Sequence, residues 1–565
     1  MESFPKIIVP CANWKDGGES CPSEGNFACN GCKLVVYCGR KCQRSHWGEH
    51  KKVCKSYLRD EFWAPIWDLE GRSPGWPRTQ EASNRRAPFG GDKYLWGNSP
   101  AIDVLSLHHN EGLDYDKDLS ILFAACGDLS TVVKTIVNSD GDFHLTVAIN
   151  DKDPSITARN AILLLLVLTT LDDGPEKINA VELAEDMIHI WYSAMLTEGT
   201  LSRLQSKVRP IIKEVCEGIS SEDSCLYEYE GREWHFKPNC TFRMVLKGKD
   251  WIRALSLLDI PEGLTPVVAQ ELRHKVVLAF ERADYRDRWF YTDASPSMRV
   301  AKERFREDGL LLPFSYPRAS FNHPNPTIFG ISHDWPLDDQ ADPLGSWPMG
   351  EVKDTPSPVS QDLYGRLYFY LRNILYSFIH RLATAKVHFE LSSHDVKEKM
   401  LFRDMKYDRI EASNLSDSRW LGTQQTLEAL IPLLKSPEVN PHATLVTVYL
   451  DAITEAIIVD DSDEAKKIGL HMPINPQGAE LTRFWDARVL LMNGTKFFHK
   501  YMSLHLFSSV AKHLGIVMKD NTVVDPWPTA LKIPQGLPGF REEFDAVLAS
   551  PFTGVERCVE WRKMK

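Results

Sequence analysis

The first 54 residues carry seven cysteines and one histidine in four successive pairs: Cys11 and Cys21, Cys29 and Cys32, Cys38 and Cys42, His50 and Cys54. Zinc takes four tetrahedral thiolate or imidazole ligands, and ligands about three to five positions apart reach one ion from a tight turn or a single helical turn. Eight such groups make two closed sites. A zinc with four protein ligands has no open position for water, so it folds the segment and does not catalyse. The pattern predicts a recognition module and not an active centre.

The residues between the ligands, Cys38-Gly-Arg-Lys-Cys42-Gln43, then Trp47, then His50-Lys51 and Cys54, resemble the MYND zinc finger. In that family the pairs interleave. Carried onto this chain, the resemblance implies that Cys11, Cys21, Cys38 and Cys42 hold one Zn2+, and that Cys29, Cys32, His50 and Cys54 hold a second. The first pair departs from the family's short spacing, because nine residues separate Cys11 from Cys21. Lengthening a flexible loop costs little entropy, so the finger is expected to close nonetheless. His46 is the alternative to Cys11 as fourth ligand. The resemblance also implies docking of proline-containing partner peptides, with Gln43 and Trp47 at the positions that line the groove. A flat indole receives a stiff polyproline segment at small entropic cost; the competing reading is that Trp47 only plugs the core of the finger.

A disulfide scaffold is the other reading of a cysteine-rich segment, but such scaffolds belong to small secreted proteins. This chain starts without a basic-then-apolar signal segment, and Cys126, Cys216, Cys225, Cys240 and Cys558 are scattered and odd in number. A reducing cytosol or nucleus is the expected compartment. The net charge of −11 argues against a nucleic-acid binder, which needs a positive footprint against phosphate. Basic residues do gather in the finger, at Lys33, Arg40, Lys41, Arg44, Lys51, Lys52 and Lys55, where a solvated face accounts for them. The longest apolar run, Ala161 to Leu168, is far below the roughly 18 residues that span a bilayer. It reads as a buried helix, and no membrane span is expected.

Beyond the finger (1–58), residues 59–98 are rich in Trp, Pro, Gly and Arg without a helical or strand period, which marks a linker or covering arm. Leu119 to Ala125 reads as a buried strand, followed by the turn Cys126-Gly127-Asp128 and a helix capped by Asp128. Phe143 to Ile149 is a second strand, and Asp153 with Pro154 opens a helix to Leu171 that is apolar nearly all round. The same grammar returns with strands Lys386 to Leu391, Tyr407 to Asn414 and Leu445 to Leu450, and a helix from Thr423 to Leu434. Strands alternating with such helices predict an α/β fold with a Rossmann-like, doubly wound parallel sheet. Its two parts, 99–175 and 385–456, are split by a mainly helical, Pro-rich insertion at 176–384. The acidic run Asp460 to Glu464 reads as a solvated loop in a helical C-terminal region, 457–565.

The segments Trp96-Gly97-Asn98-Ser99-Pro100-Ala101, Ile121 to Asp128, and Asn150-Asp151 running into Ala158-Arg159-Asn160 resemble the fungal MYND proteins that share a domain with dynein axonemal assembly factor 3. That domain resembles the class I methyltransferase fold. The resemblance implies an S-adenosylmethionine site in which Gly127 lets the backbone approach the ligand while Asp151, with Asp128 nearby, meets the ribose hydroxyls. Ser392 and Asn414 would border the same crevice. The turn has one glycine where methyltransferases carry several, and no catalytic set is evident. In the competing reading, Gly127 only permits a turn and the two aspartates only cap. Cys126 is expected to be a buried, inert thiol. The reading is therefore a protein-interaction adaptor with a non-catalytic methyltransferase-like domain and an assembly-factor-like role. The alternative is an S-adenosylmethionine-dependent methyltransferase whose finger recruits substrate.

Overall fold

The computed structural model describes residues 6–14, 21–75, 89–174, 179–219, 226–398, 405–460, 462, 491, 494–525, 527–552 and 554–564. Most of the acidic run after Asp460, and Cys225, lie outside them.

In the finger, β1 (Phe27–Ala28) pairs antiparallel with β2 (Val36–Tyr37), and α1 (Arg40–Cys54) follows. In the body, β3 (Leu119–Phe123) leads through α2 (Ser130–Asn138) to β4 (His144–Asn150). Then come α3 (Pro154–Asp172) and α4 (Ala180–Tyr192). A hairpin of β5 (Tyr229–Phe236) and β6 (Cys240–Lys247) is followed by α5 (Pro296–Asp308) and α6 (Leu363–Leu382). The chain continues with β7 (Lys386–Ser392), β8 (Arg409–Glu411), α7 (Gly422–Leu430) and β9 (Thr444–Tyr449). It ends with β10 (Ile516–Lys519) and β11 (Arg557–Lys563).

Nine strands form one sheet in the order β10-β11-β9-β8-β3-β4-β7-β6-β5. The six from β9 to β6 run parallel. Outside them, β5 pairs antiparallel with β6, β11 with β9, and β10 with β11. Alternate residues of β3 explain its burial on both faces. Leu119, Ile121 and Phe123 join one core, and Leu122, with Ala124 just past the strand, joins the other, the period of two expected of a strand.

α3 begins as its sequence dictates, with the Asp153 carboxylate accepting the Ser155 N–H at 2.9 Å and Pro154 in the first turn. By length and composition alone it could cross a membrane, but 89% of its apolar window is buried inside the protein. Its position against the sheet accounts for the all-round apolar sequence.

Two regions depart from the helical expectation. The insertion contributes β5 and β6, which extend the sheet beyond β7, and the C-terminal region contributes β10 and β11, which extend it beyond β9. β5 is an outermost strand whose residues are mostly exposed or half-buried, so no apolar alternation announces it. Described helices of the C-terminal region, such as 495–504 and 507–514, accompany its two strands.

The finger is not free of the body. Trp14 Nε1 donates to the Ser315 carbonyl at 2.7 Å, and Tyr316 donates to that of Ile8 at 2.9 Å. Arg299 on α5 donates to the carbonyls of Leu58 at 2.6 Å and Asp60 at 2.7 Å, with its guanidinium over the Trp63 ring. Further along residues 59–98, Arg72 pairs with Asp284 at 2.7 Å, Gly91 N–H meets the Leu337 carbonyl at 3.1 Å and Trp96 Nε1 donates to the Trp191 carbonyl at 2.9 Å.

Candidate metal centre

Three elements position six of the eight ligand atoms, and the segment before β1 brings the other two, with Ala12 N–H on the Val36 carbonyl at 2.8 Å beside Cys11 and Cys21 N–H on the Asn13 carbonyl at 3.0 Å. β1 runs into the knuckle holding Cys29 and Cys32, β2 leads into Cys38, and α1 carries Cys42, His50 and Cys54. His50 and Cys54 are four residues apart on one helix, so their side chains share a face. In the knuckle, a side chain at Gly31 would begin 3.0 Å from Cys54 Sγ and 3.8 Å from Cys29 Sγ, a tight approach to the ligand sulfur that glycine avoids.

The ligand atoms of Cys11, Cys21, Cys38 and Cys42 lie within 4.8 Å of one another, as do those of Cys29, Cys32, His50 and Cys54. A tetrahedron with zinc–sulfur bonds of about 2.3 Å has sulfur–sulfur edges of about 3.8 Å. Cys21 to Cys38 measures 3.7 Å, Cys38 to Cys42 3.4 Å, and Cys29 to Cys54 3.9 Å. His50 Nε2 stands 3.3 Å from the sulfur of Cys29 and 3.6 Å from that of Cys32. The donor sets, four sulfurs in one quartet and three with an imidazole in the other, fit Zn2+ in composition and spacing. Protonation agrees: burial, with smaller contributions from His46 and Arg59, lowers His50 to about 4. The ring is thus neutral and able to offer a lone pair. Burial drives the Cys32 thiol up to about 12, a penalty that a neighbouring dication removes.

Cys11 is buried and accepts the Cys38 N–H through its sulfur at 3.4 Å. His46 lies outside both quartets, its Nδ1 paired with the Tyr37 hydroxyl at 3.0 Å. Gln43 is half-buried and Trp47 is 40% exposed, its indole set edge-on to His50. Sequence reading missed Arg59. It donates to the Cys54 carbonyl, to the Cys54 sulfur at 3.6 Å and to the Gly31 carbonyl at 2.5 Å. Its signal is faint, an arginine five positions past the last ligand, because its role depends on a turn that only the folded knuckle forms.

Gly127, Asp128 and Asp151 sit at the carboxyl ends of β3 and β4. A side chain at Gly127 would meet only the Tyr94 carbonyl, at 3.7 Å. Asp128 is fully engaged within the protein. One oxygen accepts Ser130 N and Oγ at 3.0 and 2.6 Å, and the other accepts Gly97 N and Ser346 Oγ at 2.7 and 2.8 Å. Helix α2 starts at Ser130 behind Leu129, whose side chain makes no cap; the Asp128 carboxylate satisfies the first helical N–H from one position further back and also ties the turn to two distant segments. Asp151 accepts the Asp153 N–H at 2.8 Å, and burial raises its carboxyl to about 6. Ser392 Oγ donates to Asn150, and Asn414 is half-buried past β8. The Cys126 thiol is buried, donates to the Asp128 carbonyl at 3.1 Å, and is pushed well up by that burial.

Residues 18–54 match the family model of the MYND finger. This segment is a MYND finger, a zinc-binding protein-interaction module. The match begins after Cys11. Residues 95–196, from before β3 into the segment after α4, match the model of a domain of unknown function, DUF4470. The chain is 46% identical over 37 residues to Tudor domain-containing protein 1 of Oryzias latipes, a stretch covering 6% of this chain and 3% of that protein. The chain thus spans a small fraction of that relative's length. No solved structure matches the chain.

Proposed function

We propose that the chain is a zinc-folded adaptor whose finger docks proline-containing segments of partner proteins. Cys11, Cys21, Cys38 and Cys42 hold one zinc; Cys29, Cys32, His50 and Cys54 hold the other. The observation that carries the docking role is the exposed indole of Trp47, seated on His50 with Gln43 one helical turn away. An indole that only plugged the finger's core would be buried. Titration of the full-length protein with proline-rich peptides tests this. Trp47→Ala is expected to weaken binding by tenfold or more, about 1.4 kcal/mol, with zinc content unchanged. Equal affinity in the variant would reject the groove.

The body serves in this reading as a non-catalytic, methyltransferase-like scaffold with an assembly-factor-like role in the cytosol or nucleus. Its sheet order supports the doubly wound assignment. Numbered along the chain, β3, β4, β7, β8 and β9 stand in the order 3-2-1-4-5, with the reversal between β3 and β8, where such folds bind ligands. The room beside Gly127 favours the second reading, an S-adenosylmethionine-dependent methyltransferase, and the saturated carboxylate of Asp128 weighs against it. Calorimetric titration with S-adenosylmethionine separates the two, and no heat is expected.

A further inference from the structure

The face of the finger around Trp47 is basic. α1 carries Arg40, Lys41, Arg44, Lys51 and Lys52 against a single acid, Glu49, which Lys52 already holds at 2.7 Å. Arg44 precedes Trp47 by three positions and Lys51 follows it by four, so both cations stand beside the indole on one side of the helix. Arg40 extends the stripe by a further turn. Arg40, Arg44 and Lys51 are exposed, and among the described residues none of them has an ion-pair partner. Gly48, next along the helix, has no heavy atom within 4 Å of where a side chain would begin, so nothing in the described structure covers the helix at that position.

An exposed aromatic ring bordered by unpaired cations fits a segment that joins a stiff apolar residue to carboxylates. We propose that the partner of the finger is an acidic, proline-containing protein segment. Its proline ring lies against Trp47, and aspartate or glutamate on either side meets Arg40, Arg44 and Lys51. This rests on the docking role proposed for Trp47 and adds the charge of what is docked. A nucleic-acid strand could also stack on an indole among cations. The stripe is only about 16 Å long at 1.5 Å per residue, enough for few phosphates, and the chain as a whole carries −11. Both favour the protein segment.

The test uses the full-length, zinc-loaded protein and three labelled peptides that share a tetraproline core, flanked by glutamates, glutamines or lysines. A single-stranded oligonucleotide is the fourth probe, and all are read by fluorescence anisotropy. The glutamate-flanked peptide is expected to bind about tenfold tighter than the glutamine-flanked one at low salt, from a few exposed pairs acting together, and the gap closes as salt rises. Arg44→Gln with Lys51→Gln should remove the gap and leave both zinc content and glutamine-peptide affinity unchanged. Equal affinities for the three peptides would overturn the acidic partner while sparing proline docking. Binding of none of them would overturn both. An oligonucleotide complex that is tighter than any peptide's, and that the double substitution abolishes, would replace the protein segment with nucleic acid.

Discussion

The Arg59 guanidinium lies against the Cys54 thiol, Nη1 to Sγ 3.6 Å, and its Nε reaches Ser297 Oγ on α5 at 3.3 Å. One side chain thus links the second quartet to the body. A positive donor on a ligand sulfur favours the thiolate, and the same cation pins the knuckle through the Gly31 carbonyl.

Arg59→Ala is expected to weaken metal retention at that quartet by roughly 10- to 100-fold, the usual effect of removing a group that orients a metal ligand. Competition with a chromophoric chelator reads it. An unchanged release curve would leave Arg59 as a tether between finger and body only.

Cys32→Ala removes one donor of the second quartet and Cys11→Ala one of the first. Native mass spectrometry should show one zinc lost in each. Structural zinc supplies about 10–16 kcal/mol to such modules, so each loss should unfold the finger while the body keeps its own unfolding transition. A Cys11→Ala protein that retains both ions would strike Cys11 from the ligands.

At the start of β8, Arg409 and Glu111 form a pair buried on both sides at 2.6 Å, and Asn440 also donates to Glu111 at 3.0 Å. Arg409→Met strands the carboxylate and should cost about 3–5 kcal/mol, whereas adding Glu111→Leu should recover most of it. Denaturant titration of both variants decides, since an additive pair would mean that the two residues act independently.

Glu411 ends β8 in the core, accepting the Ser413 N–H at 2.6 Å. Burial raises its carboxyl from the usual 4.5 to about 7, so the folded chain holds a proton that the unfolded chain releases. Its contribution is intact below the unfolded value, is lost as pH climbs toward 7, and stays lost above. Glu411→Gln should therefore stabilise the protein at pH 8 by of order 1–3 kcal/mol relative to the parent, with the gain gone near pH 4. Comparing the two proteins at each pH cancels any loss of zinc in acid; a gain equal at both ends would reject the titration.

What was legible along the chain was local. Cys29 and Cys32 in a turn, His50 and Cys54 one helical turn apart, and Asp153-Pro154 ahead of a run of apolar residues each state their geometry within a few positions. β3, β4, β7 and β9 were expected within one or two residues of their ends, because β3 and β9, buried on both faces, read as apolar runs, while β4 and β7 alternate apolar with polar residues. The strand expected at 407–414 is regular only over 409–411, since Ser413 adopts a left-handed conformation that breaks the ladder.

By itself, then, the amino-acid order determined the two sets of metal-ligand types, the helices with their own caps, and the strands of the central sheet. Only the tertiary structure decided that β5 and β6 extend one side of that sheet and β10 and β11 the other, that Asp128 joins Gly97 to Ser346, and that Arg59 ties the finger to α5. The physical reason is sequence distance. An edge strand needs an apolar pattern on at most one face, and a hydrogen bond between groups two hundred residues apart leaves no local periodicity. Its partners become neighbours only when burial of the common core brings them together.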